Sequence, residues 1–247
     1  MNYILFDGAV RDQLLPFTYT RPVADIRVGI LTIREKWEHH LGYATSTVTE
    51  DYLSDKWPLV ELEKNILINA SFLPSEMLVD QIKALGQNQA LFLDDEPIAF
   101  YSEENQEVDF DTCEILQYKG DDILRIAYPW DIFAKNHQAI QRDFELITAG
   151  RSSQAIPEHT VAFKQEQIFI EEGAKLPLCS LNATDGPIYI GKNAEIMEGS
   201  MIRGPFALCE RATVKMSAKI YGGTTIGPYC KAGGEISNSV LLSLIHI

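Results

Sequence analysis

Ile190, Ile196, Ile202, Leu208, Val214, Ile220 and Ile226 stand six residues apart, and Ala232 keeps the phase. Four residues after each come Ala194, Ser200, Phe206, Ala212, Ala218, Thr224, Cys230 and Ile236, most of them small. Two coupled positions held through successive hexads call for a fold in which six residues make one structural step. A solenoid provides it: each short strand sends one aliphatic side chain to the axis, and the small residue lets the chain turn a tight corner. Glycines 191, 199, 204, 222, 223, 227 and 233 supply permissive backbone for those corners. An isolated earlier hexad, Ile170 to Lys175 with Leu176 following, has the same form. The Pro/Asn/Asp/Gly-containing stretch Leu176–Pro187 between it and the main run reads as an inserted loop.

This repeat resembles the hexapeptide-repeat family, and the resemblance implies a left-handed parallel β-helix that assembles as a homotrimer. Many members transfer acyl groups with a histidine as general base. From residue 151 onward the only histidines are His159 and His246, so the visible repeat offers no convincing base, and scaffold and oligomerisation roles are expected of it. The segment Leu242–Ile247 breaks the hexad phase, matches the translation of a transposon-end adapter, and lacks the polar cap that ends a solenoid. It reads as a non-native tail on a coil expected to continue, in which case an acyltransferase site could lie in further coils. The other reading is a genuine apolar tail packed on the last coil.

Charge divides the chain. Residues 1–150 carry 12 basic and 26 acidic side chains, which account for the whole net charge of −14, whereas the remainder carries 9 of each. The expected organisation is an α/β domain over 1–150, a connector with the first hexad over 151–187, the β-helix over 188–241 and the tail over 242–247. An acidic chain does not offer the basic footprint that nucleic acid needs. No apolar run approaches a membrane span, and the N-terminus lacks the basic flank and long apolar core of a signal peptide. Cys113, Cys179, Cys209 and Cys230 follow no disulfide or metal spacing, so a cytoplasmic location is expected.

The first half opens with an apolar strand, Asn2–Phe6, then Asp7-Gly8 and a turn-rich stretch. Val28, Leu31, Trp37 and Leu41 at roughly helical spacing predict a helix. Further expectations are a strand Asn65–Ile68, a loop Asn69–Pro74, and a helix near Ser75–Leu85 started by Ser75. A hairpin of Ala90–Leu93 and Pro97–Tyr101 should turn at Asp94-Asp95-Glu96, and a last helix should run through Trp130–Phe144. Strand, loop, helix is how an α/β nucleotide-binding domain begins. Within this acidic half, residues 11–36 carry Arg11, Arg21, Arg27, Arg34 and Lys36 against Asp12, Asp25 and Glu35. A preponderance of arginine suits planar recognition of phosphate, although solvated surface arginines would look the same.

Leu14-Leu15-Pro16-Phe17-Thr18 followed by Arg21-Pro22 resembles the loop of sugar-1-phosphate nucleotidyltransferases, which carry Leu-x-Pro-Leu-Thr and Arg-Pro-Lys after a Gly-x-Gly-Thr-Arg signature. An α/β domain of that kind joined to hexapeptide repeats is the layout of bifunctional N-acetylglucosamine-1-phosphate uridylyltransferases. The chain resembles a divergent branch of that group. The resemblance implies nucleotidyl transfer from a nucleoside triphosphate to a sugar 1-phosphate, with Mg2+ as cofactor. The signature departs from the pattern. The aligned stretch is Gly8-Ala9-Val10-Arg11-Asp12-Gln13, Val23 stands where the lysine belongs, and Asn69 ends the strand that should carry the metal-binding aspartate. Two anions must meet in the reaction, so cations must neutralise them. Candidate catalytic cations are Arg11, Arg21 and Arg27. Gly8, Lys36 and Asn69 are candidate ligand contacts, and Asp7 and Asp25 candidate magnesium ligands. Either aspartate could instead cap a turn or pair with an arginine. The carboxylates at Asp94-Asp95-Glu96 are an alternative metal position, competing with a plain charged hairpin tip. A catalytically silent sugar-nucleotide-binding scaffold is the reading from another class.

Overall fold

A computed structural model describes residues 1–104 and 108–244. They pack as two units: Met1–Ile26 with Thr32–Pro129, and Arg27–Leu31 with the chain from Trp130 onward.

The first unit is built on a six-stranded mixed sheet. Its strands are β1 (Asn2–Phe6), β2 (Ser46–Val48), β3 (Lys64–Asn69), β5 (Gln89–Leu93), β6 (Glu96–Glu103) and β7 (Glu114–Gln117), with the short β4 (Phe72–Leu73) and β8 (Leu124–Arg125) paired apart from it. The sheet order is β2-β1-β3-β6-β5-β7. Strands β1, β2 and β3 are parallel, β6 is antiparallel to β3 and β5, and β7 runs parallel to β5. The chain leaves β1 to one side for β2 and returns on the other for β3, so the order reverses between β1 and β3. In open α/β sheets a crevice forms at such a switch, outside the carboxyl ends of the strands. Fully buried in the first unit are Ile4, Leu5, Ile66 and Ile68 on the central strands and Trp37 and Ile82 on the helices.

The predicted helix from Val28 begins later, at Ile33, and ends at Leu41. Thr32 is its N-cap: the Thr32 hydroxyl accepts from the Glu35 amide (3.2 Å), and the Glu35 carboxylate accepts from the Thr32 amide (2.6 Å). Ser75 caps the helix Glu76–Lys83, its hydroxyl accepting from the Leu78 amide at 3.3 Å. The predicted loop Asn69–Pro74 contains β4.

The second unit contains three parallel sheets. One stacks Val161–Phe163, Ser180–Asn182, Met201–Arg203, Lys219–Ile220 and Glu235–Ile236. Another stacks Ile168–Ile170, Ile188–Ile190, Phe206–Leu208, Thr224–Ile226 and Val240–Leu241. The third holds Glu195–Ile196, Thr213–Val214 and Lys231–Ala232, with Lys175 bridged to Glu195. Successive strands visit the three sheets in turn, a course compatible with a β-helix. Every hexad aliphatic from Ile190 to Ala232 is buried, and so is the residue four positions on, from Ala194 to Cys230. A Cβ at Gly204 would collide with the Gly186 carbonyl, and one at Gly222 with the Gly204 carbonyl, so glycine recurs where neighbouring rungs touch backbone to backbone. The stretch Leu176–Pro187 is not an inserted loop: Ser180–Asn182 is a full rung, paired on both sides. Of the expected tail, 242–244 are described and 245–247, with His246, lie outside the described residues.

The predicted final helix is two, Pro129–Ala134 and Asn136–Thr148. The longer one packs Ile140, Phe144 and Ile147 against Ile30, Phe169 and Ala207, so by packing it goes with the second unit although it precedes residue 150. Residues 27–31 are fixed on the same unit. The Asp143 carboxylate accepts from the amides of Ile30 (2.7 Å) and Leu31 (3.0 Å), and the Asn136 side-chain oxygen accepts from the Gly29 amide (2.7 Å). The Asn136 side-chain amide donates to the Gly223 carbonyl (2.8 Å), and the Thr225 hydroxyl donates to the Gly29 carbonyl (2.9 Å). These buried polar groups are satisfied by one another, which is what permits them inside an apolar contact. No helix among the described residues is long and apolar enough to cross a membrane.

Candidate functional site

The cleft at the switch point has a volume of about 570 Å³. Phe6 and Asn69 bring to it the carboxyl ends of β1 and β3, and Leu93 to Pro97 bring the β5–β6 turn. Gly8 to Val10 and Gln13 form one wall, and Arg125 comes from β8. Gly8 is needed for space: a Cβ there would lie 2.9 Å from the Asn69 side-chain nitrogen. Asn69, only 1% exposed, organises the floor. Its amide nitrogen donates to the Pro97 carbonyl (3.1 Å), and its oxygen accepts from the Ser71 amide (3.0 Å) and hydroxyl (2.8 Å). Those bonds join the ends of β3 and β6 and direct the chain into β4, whose Phe72 lies opposite Arg125.

Charge in the cleft comes from residues outside the 11–36 island. Arg125 is the single cationic side chain among the lining residues, and Asp94, Asp95 and Glu96 are the carboxylates. Arg125 pairs with Glu96, and its guanidinium lies 5.3 Å from the centre of the Phe72 ring. The hairpin carboxylates, weighed from sequence as an alternative metal position, therefore share a cleft with Gly8 and Asn69. Arg125 was not singled out from sequence. The available signal is slight: with Lys119, it is the only cation between residues 84 and 134.

The island residues divide by role. Asp7 is a buried hub whose carboxylate accepts from the Val23 amide (2.7 Å), the Thr49 hydroxyl (2.7 Å) and Arg11 (2.5 Å). Burial pushes its carboxyl above the ordinary 3.8, against the lowering effect of those donors. Arg11 also donates to the Thr18 carbonyl (2.6 Å) and the Tyr52 hydroxyl (2.8 Å), so it pins the loop that carries the Leu-Leu-Pro-Phe-Thr motif. Asp25 meets Arg34 through both carboxylate oxygens, at 2.9 and 3.3 Å. Arg27 is buried in the second unit's segment and donates to the Ile30 carbonyl. Lys36 is 3% exposed on its helix. Arg21 differs from these: half-buried, its side chain makes no hydrogen bond or ion pair among the described residues. The geometry thus sets Gly8 and Asn69 in the cleft, leaves Arg21 uncommitted, and commits Asp7, Asp25, Arg11 and Arg27 to protein partners.

For a metal, no group of three or more His, Cys, Asp or Glu side chains among the described residues is placed to hold an ion. Asp7 and Asp25 are engaged by arginines. Magnesium is commonly held by one or two carboxylates together with substrate phosphates, and the exposed Asp94 and Asp95 at the cleft fit that donor set.

The family model described as sugar nucleotidyl transferase matches residues 3–152, well over half of the chain. No curated protein matches the sequence.

Proposed function

The chain belongs to the sugar nucleotidyl transferase family, and on that premise we propose that the β1–β3 cleft takes a nucleoside triphosphate and transfers its nucleotidyl group to a sugar 1-phosphate. The observation that carries this reading is the coincidence of the family match with a cleft at the sheet's switch point, floored by Gly8 and Asn69. Gly8 gives the close backbone approach that a phosphate chain needs, and Arg125 is the cation that lines the cleft. Asp94 and Asp95 would hold magnesium, which in such reactions neutralises charge developing on the phosphates. Asp7 and Arg11 act here by fixing the loop around the cleft. The second unit is read as a left-handed β-helix, supported by the cyclic course through three sheets, and as a homotrimer, which the hexad resemblance implies. The setting proposed is the cytoplasm.

One observation favours a second reading, a silent sugar-nucleotide-binding scaffold. The signature lacks its second glycine, and Arg11, which retains a basic side chain in that stretch, is spent on Asp7. Calorimetry with UTP, dTTP, CTP and GTP, with and without magnesium, on wild type and Arg125→Ala separates the possibilities. Binding that needs magnesium and weakens at least about tenfold in the variant is expected, followed by turnover with sugar 1-phosphates. Binding without turnover supports the scaffold. Absence of binding to all four triphosphates sinks both.

A further inference from the structure

The cleft's one cation already has an anion. Arg125 and Glu96 come from different strands, β8 and β6, and meet on the cleft wall with side chains 30% and 29% exposed. Each is held independently. The Arg125 guanidinium lies against the buried ring of Phe72, directly opposite on β4, and Glu96 is fixed at the start of β6 by its pairing with Leu93. Asp94 and Asp95 on the adjoining turn add negative charge to the same space. A ligand phosphate that approaches Arg125 therefore competes with a carboxylate and enters against two more.

We infer that Glu96 is a specificity-determining residue, an internal competitor that biases Arg125 toward polyphosphates over singly phosphorylated groups. The inference rests on the reading that the cleft takes a nucleoside triphosphate. Its physical basis is a difference of affinities. A polyphosphate carries several charges and can arrive with magnesium, so it offers Arg125 a bidentate partner while offsetting repulsion from the turn. A monophosphate offers the guanidinium little more than Glu96 already supplies.

The test is a double-mutant cycle on the full chain, read by calorimetry with magnesium tripolyphosphate and with inorganic phosphate. The four proteins are wild type, Glu96→Gln, Arg125→Gln and the double variant, each first checked for an unchanged thermal transition. In Glu96→Gln, both ligands should bind more tightly, by about 3- to 10-fold for a pair this exposed, with the larger gain for phosphate, so that the preference for tripolyphosphate narrows. In the Arg125→Gln background the same change should shift affinity by less than about twofold. An equal gain in both backgrounds would assign the effect to general charge and overturn the inference, as would an unchanged preference. Those outcomes leave the nucleotide-site reading standing. If wild type and Glu96→Gln bind neither tripolyphosphate nor any nucleoside triphosphate, that reading fails and takes the inference with it.

Discussion

The two units spend their polar groups in opposite ways. In the second unit the core is lined mainly by aliphatic and small side chains, and a network of uncharged and charged groups, Asn136, Asp143 and Thr225, holds residues 27–31. In the first unit, charged side chains are built into the frame as pairs: Asp7 with Arg11, Asp25 with Arg34, and Glu96 with Arg125 at the cleft. A residue in the coil has a role set by its place in a period. A residue beside the cleft has a role set by whichever partner the tertiary fold brings to it. An arginine near a phosphate signature can thus be a ligand contact or a strut, and sequence alone does not separate the two.

Three substitutions sharpen that contrast. The largest effect is expected from Phe206→Ala, which removes a fully buried ring from the coil. A loss of about 3–5 kcal/mol in denaturant unfolding follows from the lost burial and the cavity left behind. A loss below about 1 kcal/mol would mean that the rung can collapse and that the coil is less tightly specified than its repeat suggests.

Arg11→Gln is next, at about 3 kcal/mol near neutral pH, because it leaves the Asp7 carboxylate buried without its cation. Its pH dependence identifies the cause. The folded Asp7 carboxyl is already raised above 3.8 by burial, so its favourable contribution is fully present below that value and fades as pH rises through the folded value. Removing the cation raises the folded value further. The penalty of Arg11→Gln should therefore be smallest in acid and grow toward neutrality. A penalty constant from pH 4 to pH 7 would show that Arg11 acts through Thr18 and Tyr52 instead.

Thr225→Val is the mildest, at about 1–2 kcal/mol, since it costs the Gly29 carbonyl its donor while keeping side-chain volume. Combined with Asn136→Ala it should be non-additive, because the two side chains share one network. Simple additivity would mean that residues 27–31 are held by packing alone.

What was legible in the sequence follows the same division. β1 stands where the apolar run Asn2–Phe6 placed it, and the hexad positions are buried as the period required. The rung Ser180–Asn182 was hidden because its neighbours are Pro, Asn, Asp and Gly and the hexad spacing fails on both sides of it. The helix start was misplaced because Val28 and Leu31 mimic a helical stripe, although Thr32 and Glu35 spell the capping box that begins it. At the cleft, alignment with a motif points to Gly8 and Asn69, which line it. It does not point to Arg125, which reaches the cleft through a strand pairing with Phe72 that no local pattern announces.

The spacing of the coil's rungs has a consequence of its own. In the sheet that begins at Ile168, paired positions are twenty residues apart at Ile168 and Ile188, eighteen at Ile188 and Phe206, and fifteen at Thr225 and Val240. The ladder stays aligned while the chain between rungs lengthens or shortens, so this half of the molecule counts strands and is indifferent to the residues spent on its bends. Exposed Thr184 and Asp185 lie on such a bend. There a lineage, or an engineer, could graft new sequence and acquire a new surface without disturbing the stack beneath it.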